Sequence, residues 1–187
     1  MLSELRVVVR PGGGLVARTP GALLVIQDPS DSEVVRRLLD ELYGDSALSE
    51  RLSRVVVEMG AERVPPLCAV ADGPQGMSVF VHRQALVSMI GGQPSLQLGV
   101  IEGPGWNQHT NGMGSMVIGF DGSPVPDFAN PWLDLREGVV SGSGVLLVPS
   151  GAVVPPIAVT SPVMAQPAPA MAQPAPAPAP VMAQPAP

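Results

Sequence analysis

The two histidines, His82 and His109, are the side chains best suited to acid–base or metal chemistry in this sequence. Asp72 and His82 flank the turn-rich residues 73–76, so a hairpin there would place them on neighbouring strands. If both groups reached one cleft, they could serve a small hydrolase or transferase as general acid and base. Neither His82 nor His109 has a further histidine, cysteine or carboxylate at metal-ligand spacing, so we expect no metal site.

The amino-acid composition also excludes several kinds of catalytic chemistry. All ten basic residues are arginine, so the chain has no lysine for a Walker A motif, a Schiff base or general-base catalysis. The single cysteine, Cys68, lies between Leu67 and Ala69 in an apolar segment. This setting predicts a buried small hydrophobic residue rather than a reactive thiol. We expect a protein that is not an enzyme and holds no cofactor.

Two glycine-rich segments have the glycine content, but not the context, of phosphate-binding loops. Residues 11–14 are Pro-Gly-Gly-Gly, yet residues 15–17 read as a strand, whereas a phosphate loop needs a following helix with free amides. Residues 138–144 also lead into a strand pattern, at residues 145–148. The first segment therefore predicts a tight turn, and the second a strand with a bend or bulge.

Four residues are candidates for protein contact or modification. Trp106 and Trp132 are candidate interaction residues, because tryptophan dominates interface hot spots, and core filling is the alternative. Thr160 in a predicted linker and Thr19 in a predicted turn are candidate phosphorylation sites that a kinase could reach. The alternative for both is an ordinary linker or turn threonine.

Charge and hydropathy indicate which partners and compartments to expect. The 187-residue chain has a formal net charge of −6, and its arginines are dispersed, which argues against a nucleic-acid partner. Its most apolar stretch, residues 139–159, is interrupted by glycines and prolines, so we expect no membrane insertion. The first residues lack the basic region and apolar run of a signal peptide. The expected location is the cytoplasm.

The predicted elements are strands on either side of a helical hairpin. Short β-favouring runs occupy residues 5–9, 15–17, 22–26, 67–71, 77–82, 85–90, 96–101, 116–120 and 139–148. The first three predict an N-terminal meander. The helical stretches begin at the capping-box pair Ser30 and Glu33 and at about residue 47. The pattern predicts an α+β fold, mainly an antiparallel curved sheet or partly open barrel, with one helical hairpin.

The C-terminal part of the chain has a different composition. The unit Met-Ala-Gln-Pro-Ala-Pro-Ala at residues 164–170 repeats at 171–177, and a third copy begins at Met182. A tract of this kind cannot bury a core and favours extended polyproline II. We therefore divide the chain into an α+β module, residues 1–150, and a disordered Pro/Ala-rich linker, residues 151–187.

Several motifs, taken in order, resemble one known family. They are residues 11–18, 65–70 and 79–82, Trp106, and residues 131–147. Together they resemble the N-terminal domain of actinobacterial proteins that carry a forkhead-associated (FHA) domain, over most of residues 5–150. In that family a long Pro/Ala-rich linker joins this domain to an FHA domain that binds phosphothreonine. These residues contain no FHA domain, so no phosphopeptide-binding residue is transferred.

The resemblance and the linker together favour one function. They imply a non-catalytic, cytoplasmic protein-interaction or regulatory module, the accessory domain of an FHA-type phosphothreonine-signalling protein. Its partner would be a protein, in a Ser/Thr-kinase pathway. Two alternatives remain open: the small hydrolase or transferase considered above, and an envelope-associated module that uses the Pro/Ala tract as a spacer.

Overall fold

The computed structural model describes residues 2–44, 46–73, 76–90, 106–110, 115–120 and 134–150, which lie within the unit Met1–Ile157. Two helices, α1 (Ser32–Asp40) and α2 (Leu48–Met59), are accompanied by 3₁₀ turns at Leu2–Glu4 and Glu41–Tyr43. The described strands are β1 (Leu5–Arg10), β2 (Leu15–Arg18), β3 (Ala22–Ile26), β4 (Leu67–Gly73), β5 (Gly76–His82), β6 (Leu86–Ile90), β7 (Trp106–Thr110), β8 (Ser115–Gly119), β9 (Gly138–Ser141) and β10 (Gly144–Pro149).

These strands form two antiparallel sheets. One has four strands in the order β1-β10-β8-β6, and the other has six in the order β7-β5-β4-β3-β2-β9. As far as the described strands show, neither sheet closes into a barrel. The predicted α+β class, with antiparallel strands and one helical hairpin between β3 and β4, is confirmed.

Two antiparallel chain segments, residues 5–18 and 138–149, connect the two sheets as one bent ribbon. β1 pairs with β10 as far as Arg10 opposite Gly144, and β2 pairs with β9 from Leu15 opposite Ser141. Between the two pairings, the Gly142 amide donates to the Gly14 carbonyl at 3.0 Å, and the Ser143 amide donates to the Arg10 carbonyl at 2.9 Å. The ribbon therefore turns a corner from one sheet to the other, as strands do where packed sheets share a bend or bulge.

The pairing at this corner shows that the predicted N-terminal meander is wrong. β1 pairs with β10 rather than with β2, because residues 11–14 carry the chain from one sheet to the other. The close approach depends on glycine, since a Cβ at residue 14 would collide with the Ile26 carbonyl oxygen and lie 2.6 Å from that of Gly142. The bend predicted within residues 138–144 is confirmed, and it separates β9 from β10.

The central strands of the six-stranded sheet are covered on both faces. All five residues of β3 are buried; Leu23 and Val25 face a core between the two sheets, and Leu24 and Ile26 face a second core under the helices. A strand enclosed on both sides needs apolar side chains at every position, so β3 reads as a continuous apolar run. The described part of this unit thus has three layers: a four-stranded sheet, a six-stranded sheet and a helical hairpin.

The helices pack on the sheet through one apolar stripe each, and their N-termini differ. Val34 and Leu38 of α1 and Leu52 and Val55 of α2 belong to the second core. The carboxylate of Asp31 accepts hydrogen bonds from the amides of Glu33 and Val34 at the start of α1. The predicted cap, Ser30, is therefore wrong by one residue. α2 begins after Ala47, which provides no side-chain cap.

Two predicted segments cannot be compared with the structure, and one observed strand was not predicted. The strand predicted at residues 96–101 and the linker at residues 151–187 lie outside the described residues. β7 was not predicted, because its polar sequence, Trp-Asn-Gln-His-Thr, lacks a strand pattern. In the described part of the chain, no helix has the length and apolar character needed to cross a membrane.

Candidate functional site

Three of the four predicted contact or modification residues stay predictions. Trp132 and Thr160 lie outside the described residues. Trp106 begins β7, where its backbone pairs with Val81 at the edge of the six-stranded sheet. Only the backbone of Trp106 is described, so its role as an interaction residue also remains a prediction.

Thr19 is inaccessible, contrary to the expectation that a kinase could reach it. It does lie in the predicted turn, between β2 and β3, but only 5% of its surface is exposed. Its amide donates to the Ala22 carbonyl at 2.8 Å, and its hydroxyl donates to the same oxygen at 3.4 Å. A kinase needs an exposed hydroxyl on an extended segment, so the folded turn does not present Thr19 as a substrate.

Asp72 and His82 do not form an acid–base pair. They lie on the two strands of the β4–β5 hairpin, but Asp72 is opposite Met77 near the turn, and His82 is opposite Leu67 at the other end. Five register positions separate the two pairs, which corresponds to about 17 Å along a strand. The catalytic pair considered from the sequence is therefore not assembled.

His82 is a core residue. It is 1% exposed, and its Nε2 atom lies 3.2 Å from the Ala61 carbonyl oxygen. Burial lowers the pKa of His82, and the nearby positive charge of Arg83 lowers it further, although hydrogen bonds to backbone oppose these effects. The ring is consequently neutral at physiological pH and has no access to a dissolved substrate.

The described residues also lack an assembled metal or thiol site. No three histidine, cysteine, aspartate or glutamate side chains among them lie close enough together to hold an ion. Cys68 is buried, and desolvation raises the pKa of its thiol far above the ordinary value. The thiol is therefore protonated and enclosed, as its apolar segment predicted.

A groove of about 840 Å³ lies where the helical hairpin meets one end of the six-stranded sheet. We call it the α2 groove. It is lined by the β2–β3 turn (residues 19–22), the segment leading into α2 (residues 42–44 and 46–51) and the end of β4 (residues 71–73), together with Ser78 and Glu137. Three separate parts of the chain thus meet in one concave surface, the usual setting of a binding site.

The α2 groove combines an apolar floor with an acidic rim. Its buried lining includes Ala22, Leu42, Leu48 and Ala71. Tyr43, also in the lining, is 70% exposed and is one of the few large hydrophobic side chains in the described residues that face solvent. The exposed carboxylates of Glu50, Asp72 and Glu137 complete the lining.

Among the described residues, Arg51 is the only cation that lines the groove. Its side chain is 7% exposed, and its Nε atom lies 3.8 Å from a carboxylate oxygen of Glu41, beyond hydrogen-bond distance. Its buried Nε and Nη1 atoms have no hydrogen-bond partner in the described part of the chain. A buried guanidinium donor without a partner is costly, and among the described residues Arg51 shares this feature with Arg10 Nη1 and Arg18 Nε.

Arg18 has a structural role in the same fold, although its buried Nε also lacks a hydrogen-bond partner in the described part of the chain. Its Nη1 atom donates to the Leu135 carbonyl at 2.6 Å, and its Nη2 atom donates to the carbonyls of Leu2 and Leu5 at 2.8 and 2.7 Å. Burial lowers the pKa of Arg18, and the charge of Asp134 opposes that effect. Arg18 ties three backbone segments together at the end of β2.

The carboxylate of Asp72, the candidate acid or base, also has a structural contact. The Leu2 amide donates to its two oxygens at 2.9 and 3.1 Å. Asp72 thus helps hold the N-terminal 3₁₀ turn beside the α2 groove.

Comparisons with known proteins give no family assignment. The chain matches no family model, no curated protein and no solved structure. Its function therefore has to be argued from the described geometry. Sequence reasoning missed the α2 groove, because its lining comes from turns that the strand order alone does not bring together.

Proposed function

We propose that the chain is a non-catalytic, cytoplasmic protein-interaction or regulatory module and that the α2 groove is its binding surface. The observation that carries the proposal is the groove itself, in which the exposed ring of Tyr43 stands beside a buried apolar floor. Tyrosine offers a large, rigid contact area with a polar tip, and it is enriched at interface hot spots.

The charge of the groove indicates the charge expected of the partner segment. Three exposed carboxylates, those of Glu50, Asp72 and Glu137, stand around the apolar floor, and the whole chain has a formal net charge of −6. Opposite charge steers association and excludes wrong partners. The occupant we propose is an extended segment of another protein that carries arginine or lysine side chains beside an apolar residue.

The resemblance to the N-terminal domain of actinobacterial FHA-domain proteins supplies the cellular context of the proposal. The module would act as the accessory domain of a phosphothreonine-signalling protein, joined by the Pro/Ala-rich linker to further modules. The enzyme alternative loses its best candidates, since Asp72 and His82 are far apart along the hairpin and His82 is buried.

Substitution of Tyr43 tests the proposal against a matched surface residue. Tyr43 and Val57 are 70% and 71% exposed, but only Tyr43 lines the groove. After a partner has been isolated with the full chain and identified, Tyr43→Ala should weaken its affinity at least about tenfold, the range of an interface hot spot. Val57→Ala should leave the affinity within about twofold. Isothermal titration calorimetry with the purified partner measures both values.

Two results would contradict the proposal. One is an equal effect of the two substitutions, which would place the interface elsewhere. The other is turnover of a small molecule by the purified chain without a protein partner, which would favour the enzyme alternative. Because both side chains are exposed, neither substitution should change the folded state, and circular dichroism checks this.

A further inference from the structure

The segment between α2 and β4, residues 60–66, contacts the buried ring of His82. We call this segment the α2–β4 connection. The Nε2 atom of His82 lies 3.2 Å from the Ala61 carbonyl oxygen, and the residue is 1% exposed. Since a carbonyl oxygen only accepts hydrogen bonds, the neutral ring carries its proton on Nε2. The other ring nitrogen, Nδ1, is buried and has no hydrogen-bond partner in the described part of the chain. This position therefore favours the neutral ring over the charged ring.

The surroundings of the ring oppose its protonation. Burial is the main cause that lowers the pKa of His82, and the positive charge of Arg83 lowers it further. Hydrogen bonding to the backbone of Ala61 and Val64 opposes these effects only in part. A charged ring would thus be unstable in the folded position and would be stabilised by contact with water.

The other titratable groups near the ring belong to the α2–β4 connection and to β4. Glu62 is exposed, and Arg63 pairs with the carboxylates of Asp31 and Glu33 at the start of α1. Cys68 follows the strand position opposite the ring, and its buried thiol stays protonated. Among the described residues, no carboxylate raises the pKa of the ring.

The α2–β4 connection is held to the fold by three further contacts. Val64 is fully buried and belongs to the core under the helices. Arg63 lies 2.8 Å from Asp31 in an exposed ion pair, a kind of contact that contributes little to stability. The Gln27 amide donates to the Pro66 carbonyl at 3.0 Å. A segment with one buried apolar side chain and an exposed ion pair can open at a lower cost than the central strands.

The backbone next to His82 is strained. Arg83 has a φ of 62°, in the left-handed region that residues other than glycine rarely adopt. Such a conformation persists only while the surrounding structure enforces it. Opening at the end of β5 would relieve this strain, so the strain favours the open form.

We propose that His82 is a pH-sensitive switch, in which protonation of the ring releases the α2–β4 connection from the end of β5 while the central strands stay paired. In the open form the hydrated ring regains the ordinary pKa of 6.5. The contribution of the ring to the closed form is therefore complete above pH 6.5 and is lost as the pH falls below that value. The α2 groove lies at the other end of α2, so the switch is separate from the proposed binding surface.

Native-state hydrogen exchange of the full ¹⁵N-labelled chain, followed by NMR, tests the switch. The reporters are the amides of Arg63 and Val64, which donate to the Gly60 carbonyl, and that of Gln27, which donates to the Pro66 carbonyl. After correction for intrinsic exchange rates, their opening should increase roughly three- to tenfold from about pH 7.5 to about pH 5.5, the range for one histidine with a lowered pKa. The amides of the central strand β3 should keep their protection.

Two matched histidine variants identify the group that titrates. His82→Gln keeps a side-chain nitrogen that can donate to the Ala61 carbonyl but does not titrate, so opening should change less than about twofold over the same pH range. His109→Gln changes the other histidine of the chain and should keep the wild-type response. A response that persists in His82→Gln, that is lost equally in both variants, or that includes β3 to the same extent overturns the proposal.

If His82→Gln fails to fold, the ring of the wild-type chain provides the decision. The ¹⁵N signals of its two nitrogens identify the neutral tautomer and follow protonation. The proposal predicts a proton on Nε2 at neutral pH and protonation below pH 6.5, together with the increase in opening. Protonation at or above pH 6.5, opening without protonation, or protonation without opening overturns it.

Discussion

Replacement of Gly14 with alanine should destabilise the folded chain by about 2–3 kcal/mol, the cost of overpacking a site that cannot yield easily. The added Cβ would collide with the carbonyl oxygen of Ile26 and lie 2.6 Å from that of Gly142. Both are backbone atoms of paired strands. The substitution would also strain the hydrogen bond from the Gly142 amide to the Gly14 carbonyl, which holds the two segments of the corner together.

Gly13→Ala is the matched control, because it changes the neighbouring glycine of the same loop. A Cβ at residue 13 meets no atom within 4 Å, so the variant should be neutral or slightly more stable through its smaller unfolded-state entropy. Urea denaturation of both variants measures the difference. Equal stability of Gly13→Ala and Gly14→Ala would contradict the arrangement of the corner between the sheets.

Arg18→Met should have the largest effect, a loss of about 3–5 kcal/mol in the free energy of unfolding. The guanidinium donates to three backbone carbonyls, those of Leu135, Leu2 and Leu5. Methionine keeps much of the side-chain volume but leaves these acceptors without their charged donor. The N-terminal 3₁₀ turn and the start of β1 would lose their connection to the end of β2.

Arg36→Met provides the comparison for Arg18, because Arg36 is an exposed arginine of α1. It should change the free energy of unfolding by less than about 0.5 kcal/mol, as is usual for surface positions. Chemical denaturation of both variants at the same pH gives the two values. A small and similar change in both would mean that the three hydrogen bonds of Arg18 contribute little.

Local elements could be predicted from the sequence because their signals are local. Helical periodicity indicated α1 and α2, and continuous or alternating apolar runs indicated most strands. The sheet partners could not be predicted in this way. Nothing near Leu5 shows that β1 pairs with β10 rather than β2, since that choice depends on how closely Gly14 and Gly142 approach across the corner.

The candidate site was less predictable than the fold. Thr19 was correctly assigned to a turn, but its burial depends on packing of that turn against distant segments. Asp72 and His82 were correctly placed on one hairpin, and only the register shows that they lie at opposite ends. The α2 groove carried no motif, because it forms only when the β2–β3 turn, the start of α2 and the end of β4 come together.

The most direct test of the central claim, that the α2 groove is the binding surface, is hydrogen–deuterium exchange of the full chain with and without its isolated partner. The account predicts slower exchange in residues 19–22, 42–44, 46–51 and 71–73 when the partner is bound, because all four segments line the groove. The claim would be contradicted if exchange slowed only on other surfaces, such as the exposed edge strand β9, and stayed unchanged in the groove segments.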